Sequence, residues 1–394
     1  MALELKRRHP AAKIVVLEKE PASGCHASGR NSGVLHAGFY YSSDSLKARL
    51  TRDGNREWRA YCEIKGLRIN HCGKLVVAHD EHDRAGLHEL MQRGQDNNVE
   101  LELVSAKQAS DIEPRVKTHE QAIWSPTTSS VDPAAIMDSL VDDVRDQDIQ
   151  LRLDEAFIKY DPETGKLGSS RQTYSAGYIV NAAGLHADRV AGHFGFSRDH
   201  RIIPFKGLYL SPGAGSYRPA TNIYPVPDLR HPFLGVHFTV TVDGETKIGP
   251  TAVPALWREN YQGLQNFSLN EFFEIFAREA ELFAFNRFDF RALALRELRK
   301  NRRKYMVECA ARMLDGVPAM GFAKWGNAGI RAQLVNTRDK VLEMDFRVEG
   351  DDRSLHVLNA VSPAFTCAFS FARYLADRME TLANSQPAPA DTIQ

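Results

Sequence analysis

The sequence predicts an α/β protein, α+β overall, in which an incomplete nucleotide-binding domain is interleaved with a domain built on antiparallel sheet. The chain opens with a helix-forming stretch and a compact apolar strand that ends in an acid, "KIVVLEKE", which is typical of the second half of a βαβ unit. Residues 201–251 instead have the pattern of short strands separated by Pro/Gly turns. At 394 residues the chain is too long for one ordinary core, so we expect two domains.

The first third of the chain alternates helices and strands. Pro10 ends the opening helix, and the strand after it is apolar on both faces, as parallel sheets require. Residues 21–45 are rich in Gly, Ser and Asn, so we expect a loop there, with at most short helical turns. A strand, a helix and a second strand follow in "GKLVVAHD", "DRAGLHELMQRGQDN" and "VELELVS".

The remaining elements follow from capping and periodicity. "VDPAAIMDSLVDDVRDQ" predicts a helix with Asp132 as its N-cap and Pro133 at its first position. "GYIVNAAGLHADRVAGHFG" predicts a strand, a turn of small residues and a helix. Helices are expected over 268–314, strands over 341–358, and a terminal helix in "SPAFTCAFSFARYLADRMETLA". The tail, residues 385–394, is expected to be disordered.

The composition is that of a soluble globular enzyme. The chain is 43% hydrophobic and 25% charged, and its net charge of zero argues against a general nucleic-acid binder. No apolar run is long enough to span a bilayer, so no transmembrane segment is expected, although peripheral membrane contact stays open. The five scattered cysteines indicate free thiols in a reducing cytosol. The histidines lack metal-ligand spacing, so we predict no metal.

Two stretches near the N-terminus are candidates for binding a nucleotide. Glu18 ends an apolar strand, where an acid accepts hydrogen bonds from an adenosine ribose, although many surface strands also end in Glu. The segment "GCHASGRNSGVLHAGFYY" has a glycine-rich backbone that can approach a ligand closely. It could equally be a flexible surface loop, but its apolar and aromatic residues favour burial. His36 within it could be an ordinary core histidine.

Three later turns are further candidates, each with a purely structural alternative. Small residues between strand and helix, at Ala182, Ala183 and Gly184, permit backbone contact with a cofactor or simply close packing. Arg331 follows the turn "GNAG" and could clamp a carboxylate or form a surface ion pair. Ser362 and Pro363 begin a helix whose N-terminus favours negative charge, or they only cap it.

Together these segments resemble the FAD-dependent L-2-hydroxyglutarate dehydrogenase/oxidase family, within the D-amino-acid-oxidase-like flavoproteins. The resemblance runs from residue 2 to about residue 380. It is carried by "VLEKE", "HASGRNSGVLHAGFYYSSDSLKARL", "CGKLVVA", "RIIPFKGLYL", "NIYPVPDLRHPFLGVHFT", "IGPTAV", "GNAGIRAQ" and "LHVLNAVSPAFT". Within these, "IYPVPDLRHPFLGVHFT" is particularly specific to the family, whereas any related flavoprotein would share Glu18, the 24–38 loop and the 182–184 turn.

The resemblance implies oxidation of L-2-hydroxyglutarate to 2-oxoglutarate, with noncovalent FAD taking a hydride and passing electrons to a membrane quinone or another acceptor. It implies a cytoplasmic protein that could lie peripherally at the inner membrane. It also implies a Rossmann-like FAD-binding domain made of residues 1–72, 128–200 and 321–384. The substrate domain would then comprise residues 73–127 and 201–320.

The resemblance also assigns roles to individual residues. Removing a hydride from C2 requires a base for the hydroxyl proton, for which we consider His36 and His237, with His356 a weaker candidate. The two substrate carboxylates need cations or hydroxyl donors, and the basic and tyrosine candidates are Arg331, Lys206, Arg258, Tyr224 and Tyr40. The expected cofactor-binding residues are Glu18, Arg30, Asn31, Ser32, Gly33, Ala182, Ala183, Gly184, Gly329, Ile330, Ser362 and Pro363.

One departure from the family pattern leaves alternatives open. The family begins with a strand and a G-x-G-x-x-G turn, and this sequence has neither before Glu18. Met1 could be an internal methionine of the first helix, which we favour because "MALELKRRHP" fits that helix without adjustment. Alternatively the protein is a truncated, inactive remnant that binds FAD poorly. A third reading is an FAD enzyme of the same fold acting on glycerol 3-phosphate or an amino acid.

Overall fold

The computed structural model describes residues 1–213, 217–229, 234–318 and 321–384. The predicted disordered tail, residues 385–394, lies outside the described residues, and so does the "RHPF" part of the family-specific motif. The helices are α1 (Ala2–Arg8), α2 (Leu46–Lys65), α3 (Glu81–Asp96), α4 (Ala106–Ile112), α5 (Pro133–Asp146), α6 (Ala187–His193), α7 (Leu269–Phe285), α8 (Phe290–Arg299), α9 (Arg303–Ala311) and α10 (Ala368–Asn384).

The strands are short and numerous. They are β1 (Val15–Leu17), β2 (Val34–Leu35), β3 (Ile69–Asn70), β4 (Lys74–Val77), β5 (Glu102–Ser105), β6 (Gln121–Ser125), β7 (Ser129–Val131), β8 (Gln150–Arg152), β9 (Phe157–Asp161), β10 (Lys166–Ser169), β11 (Thr173–Ser175), β12 (Ile179–Asn181), β13 (His200–Gly207), β14 (Leu210–Pro212), β15 (Asn222–Pro225), β16 (His237–Val240), β17 (Thr246–Gly249), β18 (Val253–Pro254), β19 (Phe322–Trp325), β20 (Gly329–Asn336), β21 (Val341–Leu342), β22 (Val348–Gly350) and β23 (Ser354–Val357).

Local sequence signals set most helix ends. The Asp132 side chain accepts a hydrogen bond from the backbone N–H of Ala134, so α5 begins as predicted. Ser45 caps α2 in the same way. The terminal helix α10 begins at Ala368, six residues later than "SPAFT" suggests, because residues 362–367 form turns. The predicted helical character of 268–314 is confirmed by α7, α8 and α9.

Two small sheets contain the predicted nucleotide-binding elements. Strand β1 pairs in parallel with β8, and β12 pairs in parallel with β23, which in turn pairs antiparallel with β22. Helix α10 packs along α2 beside these sheets, burying Leu50, Leu355 and Phe371 in a common core. Parallel pairing of strands this far apart in the chain is typical of βαβ folds.

An eight-stranded sheet forms the second part of the molecule. Its order is β19–β14–β17–β16–β15–β4–β6–β5. The 201–251 segment was expected to be antiparallel, and most of it is, but β15 runs parallel to β4, with Ile223 opposite Leu75. This single parallel pair joins the 73–127 segment to the 201–251 segment. The sheet buries Leu75, Ile223 and Phe238 against helix α9.

A long antiparallel pair, β13 with β20, links the two parts. Its register places Lys206 opposite Ile330 and Phe205 opposite Arg331. Strand β20 lies in the segment assigned to the FAD-binding domain, whereas β13 lies in the substrate domain. The predicted boundary between the two domains would therefore cross a paired sheet, and the candidate residues of "GNAGIRAQ" lie on one strand of that pair.

Candidate active site

The glycine-rich segment after residue 30 is buried. Strand β2 pairs with β7, and the following residues His36, Ala37, Phe39 and Tyr40 are all buried. The Asn55 amide on α2 donates hydrogen bonds to the carbonyl oxygens of Leu35 and His36, at 3.1 and 3.2 Å. These bonds satisfy backbone groups that burial would otherwise leave unpaired. The alternative of a flexible surface loop therefore does not hold for residues 34–40.

His36 and His237 come together although 200 residues separate them in the chain. His237 lies on β16 and stacks on Tyr224 of β15, with ring centroids 3.7 Å apart. Burial lowers the pKa of His237 to about 3, with Lys74 contributing. Burial likewise places the pKa of His36 well below its usual value, and Lys74 and His237 lower it further. Both imidazoles are therefore neutral at physiological pH.

The hydrogen bond of His237 fixes its tautomer. Its Nδ1 lies 3.0 Å from the carbonyl oxygen of Gly235, which can only accept, so Nδ1 carries the proton. The lone pair of neutral His237 is then on Nε2. In His36 the Nδ1 atom is buried without a partner among the described residues. Each histidine thus has a nitrogen that can accept a proton.

Lys74 is a member of this cluster that sequence reasoning missed. It is fully buried on β4, and its ammonium lies 4.3 Å from the ring centroid of Tyr224 and 5.1 Å from that of Tyr40. Burial lowers its pKa to about 7. The signal was present in "CGKLVVA", since a lysine at the start of a wholly apolar strand is unusual and buried lysines seldom lack a role.

Arg331 lies at the same site, next to Tyr41. Its guanidinium donates from Nε to the Gln333 side-chain oxygen at 2.9 Å. Burial lowers its pKa to about 10, and Tyr41 partly opposes this. Lys47 also belongs here, because burial and Arg331 together lower its pKa to about 7. The site is thus rich in buried positive charge, which suits an anionic ligand.

Three predicted substrate residues have other partners. Arg258 forms a fully buried ion pair with Asp188, with N–O distances of 2.7 and 2.9 Å. His356 packs against the rings of Phe194 and Phe196 and accepts a hydrogen bond from Asn181 at its Nδ1, 3.2 Å away. Lys206 donates to the side-chain oxygen of Asn260 at 2.8 Å. The structure therefore brings His36, His237 and Tyr224 together with Lys74 and Tyr40, and Arg331 interacts electrostatically with the adjacent residue Tyr41. Arg258 is instead held in a buried ion pair, and His356 packs among aromatic rings.

Two of the predicted cofactor segments meet at residues 30–33 and 329–330. A Cβ added to Gly329 would lie 2.6 Å from the carbonyl oxygen of Arg30, so only glycine permits this approach. Asn31 accepts a hydrogen bond from the Gly33 N–H at 2.8 Å, and Ser32 accepts one from Val34. Ile330 is buried beneath the contact.

The other cofactor candidates present exposed or half-buried backbone. Ala182, Ala183 and Gly184 form an exposed turn, with open space around Gly184. Glu18 is half-buried and accepts a hydrogen bond from the Glu20 N–H at 2.9 Å. Ser362 and Pro363 open the turn that reaches Thr366, whose hydroxyl accepts a hydrogen bond from the His36 N–H at 3.1 Å.

These features fit a flavin dinucleotide. The 182–184 turn offers bare backbone with no bulky side chain, and the 30–33 and 362–366 turns both lie against the His36 segment. The orphaned Nδ1 of His36 provides a buried polar atom for which a bound group can supply the missing partner. If FAD binds here, its adenosine ribose would be held by Glu18 and its ring system by residues 31–33, 329–330 and 362–363.

A separate polar cluster lies beside Glu18. Ligand-type atoms of Glu20, His26 and Glu259 lie within 4.8 Å of one another. Glu259 also contacts Lys19 at 2.8 Å and His186 at 2.9 Å. Basic side chains lower the pKa of Glu259 to about 2 in spite of its burial. Its negative charge is thus matched by neighbouring side chains without an ion.

Comparison with known proteins is consistent with this geometry. A model of the FAD-dependent oxidoreductase family matches residues 1–378. The mitochondrial L-2-hydroxyglutarate dehydrogenase of Nematostella vectensis is 36% identical over 96% of this chain and 87% of that protein. The L-2-hydroxyglutarate dehydrogenase of Escherichia coli K12 is 32% identical over 100% of this chain and 93% of that protein.

A solved structure gives the fold independently. The L-α-glycerophosphate oxidase of Mycoplasma pneumoniae, reduced with dithionite and with FAD bound, superimposes with a TM-score of 0.73. That match covers 93% of this chain and 88% of the oxidase at 19% identity, so it supports the fold alone. The chain therefore belongs to the FAD-dependent oxidoreductase family, in the branch of its L-2-hydroxyglutarate dehydrogenase relatives, and FAD is its cofactor.

Proposed function

We propose that this enzyme oxidises L-2-hydroxyglutarate to 2-oxoglutarate and passes the electrons to a quinone or another acceptor. The observation that carries the proposal is the buried cluster of two neutral histidines beside Lys74, with Arg331 interacting with Tyr41 of the same segment as His36. A proton acceptor next to buried cations is what a 2-hydroxy acid requires, because its hydroxyl must lose a proton while its carboxylates stay charged. The names of the relatives support the same substrate.

His237 is the better prepared of the two bases. Its ring is held by Tyr224 and by the Gly235 carbonyl, which leaves the Nε2 lone pair available for the hydroxyl proton. His36, which burial also keeps neutral, is the alternative acceptor. Arg331 would bind the carboxylate next to the reacting carbon through its guanidinium group. When bound, FAD supplies the acceptor for the hydride that leaves C2.

The test is flavin reduction under anaerobic conditions. The flavin absorbance of the purified protein should bleach with L-2-hydroxyglutarate and not with D-2-hydroxyglutarate or lactate. His237→Ala and His36→Ala should slow bleaching, the first by about 100-fold or more, as expected for loss of a general base. Near-normal reduction in both variants would refute the base assignment. Bleaching by glycerol 3-phosphate or an amino acid instead would refute the substrate.

We further propose that the protein lies peripherally at the inner membrane, where a quinone acceptor would be reached. Within the described residues, no helix has both the length and the apolar character needed to cross a bilayer. The most exposed side chains of α7 are nevertheless almost all apolar, whereas its charged residues are buried or half-buried. The exposed apolar face of α7 comprises Leu269, Phe273, Phe276, Ala277, Ala280, Phe283 and Ala284. An outward apolar face is the reverse of what a water-facing helix presents.

A basic segment borders this α7 face. Residues 287–304 contain eight Arg and Lys against two acidic residues. Helix α8 contacts α7, and the Arg291 guanidinium lies 5.5 Å from the ring centroid of Phe283. Apolar side chains bordered by cations are typical of surfaces that bind anionic lipid. This pairing favours a lipid surface over a second copy of the chain, whose own cations would be repelled.

A further inference from the structure

The ammonium group of Lys74 is buried without an anion. Its residue is 0% exposed, and its Nζ has no hydrogen-bond partner in the part of the chain that the structure describes. The groups around it are the rings of Phe39, Tyr40 and Tyr224, the thiol of Cys72, and the imidazoles of His36 and His237. None of these is a carboxylate.

Such a cation is costly to bury. An unpaired ammonium loses its hydration on burial, and buried charges in proteins are normally paired. Aromatic rings stabilise a cation through their faces but accept none of its hydrogen bonds. Within the described residues no element packed against β4 offers an acid among these groups, so an anion that pairs with the charged form of Lys74 would come from a ligand.

We propose that Lys74 binds the second, distal carboxylate of the substrate. Arg331 interacts electrostatically with Tyr41, and the Lys74 ammonium lies 5.1 Å from the ring centroid of Tyr40, so the two cations act on consecutive residues of one segment. A dicarboxylate can place one carboxylate on each cation, with its hydroxyl towards the histidines. This inference rests on the proposed function, and it makes Lys74 the residue that distinguishes a 2-hydroxy dicarboxylate from a 2-hydroxy monocarboxylate.

The protonation of Lys74 supports this role. Burial lowers its pKa to about 7, so at pH 8 most of the free protein has a neutral amine. A carboxylate bound beside it raises that pKa and recharges the amine. Binding of a dicarboxylate at pH 8 should therefore take up close to one proton, whereas binding of a monocarboxylate through Arg331 alone should not.

The test compares two ligands that cannot be oxidised. Glutarate and pentanoate have the same five carbons and differ by one carboxylate. Calorimetry on the flavin-bound protein should show glutarate binding about 10–100-fold more tightly, as expected for one charge-assisted hydrogen bond in a buried site. Lys74→Met should reduce that ratio to near one while leaving the pentanoate affinity unchanged. Lys74→Arg should retain part of the preference for glutarate over pentanoate.

The possible results distinguish failure of the Lys74 assignment from failure of the proposed reaction. Equal weakening of both ligands in Lys74→Met, or an unchanged ratio, would overturn the proposal. If Lys74→Met does not fold, the proton uptake of the wild-type protein tests the assignment instead. The absence of proton uptake when glutarate binds at pH 8 would contradict it. Since glutarate binding needs no oxidation, a Lys74-dependent preference for glutarate without oxidation of L-2-hydroxyglutarate would refute the proposed reaction and retain the carboxylate site.

Discussion

Replacing Asp188 with Asn should destabilise the protein strongly, because it removes the carboxylate that lies nearest to the buried guanidinium of Arg258. Both side chains are fully buried, and two N–O contacts of 2.7 and 2.9 Å join them. The Asp188 carboxylate also accepts a hydrogen bond from the backbone N–H of Ile202 at 3.0 Å. The pair thus ties α6 to β13 and to the segment before α7.

The magnitude follows from what remains after the substitution. Removing one partner of a buried ion pair costs about 3–5 kcal/mol. Two carboxylates stay near Arg258, since Glu274 lies 3.8 Å and Glu271 4.0 Å from its guanidinium nitrogens. Asn also retains one acceptor oxygen. We therefore expect the lower end of that range, about 3 kcal/mol.

Urea unfolding followed by tryptophan fluorescence measures this loss as a lower midpoint at an unchanged slope. A matched control is Asp199→Asn, which breaks the exposed pair with Arg338 and should cost less than about 1 kcal/mol. The double variant Asp188→Leu with Arg258→Met should be more stable than Asp188→Asn, since no charge is left unpaired. A loss below 1 kcal/mol in Asp188→Asn would refute this account of Arg258.

Three further predictions concern pH, packing and membranes. Because burial lowers the pKa of His237 to about 3, its neutral form persists on acidification. The flavin reduction rate at saturating substrate, where titration of Lys74 no longer limits binding, should therefore stay level from pH 8 to 5 in stopped-flow measurements, and a fall centred near 6.5 would contradict this. In Gly54→Ala the new Cβ would lie 2.0 Å from the Thr366 carbonyl oxygen. We therefore expect a lower Tm and a loss of about 1–3 kcal/mol in the free energy of unfolding. Gly192→Ala should be tolerated, because the space around Gly192 is open. Phe273→Ser with Phe276→Ser should weaken sedimentation with anionic vesicles more than tenfold, while Ile64→Ser, at an exposed position in the last turn of α2, should not. Equal binding by both variants, or an aromatic-dependent dimer in place of vesicle binding, would refute the membrane surface.

Local sequence signals predicted the helix ends well where neighbouring residues alone determine them. Asp132 and Pro133 form an N-terminal cap whose geometry needs no distant partner, so α5 begins where expected. The start of α10 depends on distant contacts instead. Thr366 accepts a hydrogen bond from His36, and its carbonyl lies close to Gly54, so tertiary packing holds residues 362–367 in turns. Helical periodicity alone extends the helix into that region.

Sequence reasoning about the site was limited in the same way. His36 and His237 could be named as candidates from the sequence because each lies in a motif with a distinctive pattern. Arg258 resembled a substrate ligand, since its ion pair with Asp188 joins residues 70 positions apart and leaves no local pattern. Lys74 was missed because the apolar strand that contains it was interpreted only as an element of the fold. Only the structure shows that no acid accompanies it.

The parallel pair β4–β15 also has a consequence for synthesis of the chain. Strand β4 can pair with β6 soon after both have left the ribosome. Its other neighbour, β15, emerges about 150 residues after β4. At roughly 5–20 residues per second this delay is about 7–30 s. For about the last two-thirds of that time, once β6 has emerged and paired, the half-made sheet has an open, apolar edge of the kind that pairs with other nascent chains. The yield of folded protein therefore depends on how quickly β15 arrives, and on chaperones that cover the edge until it does.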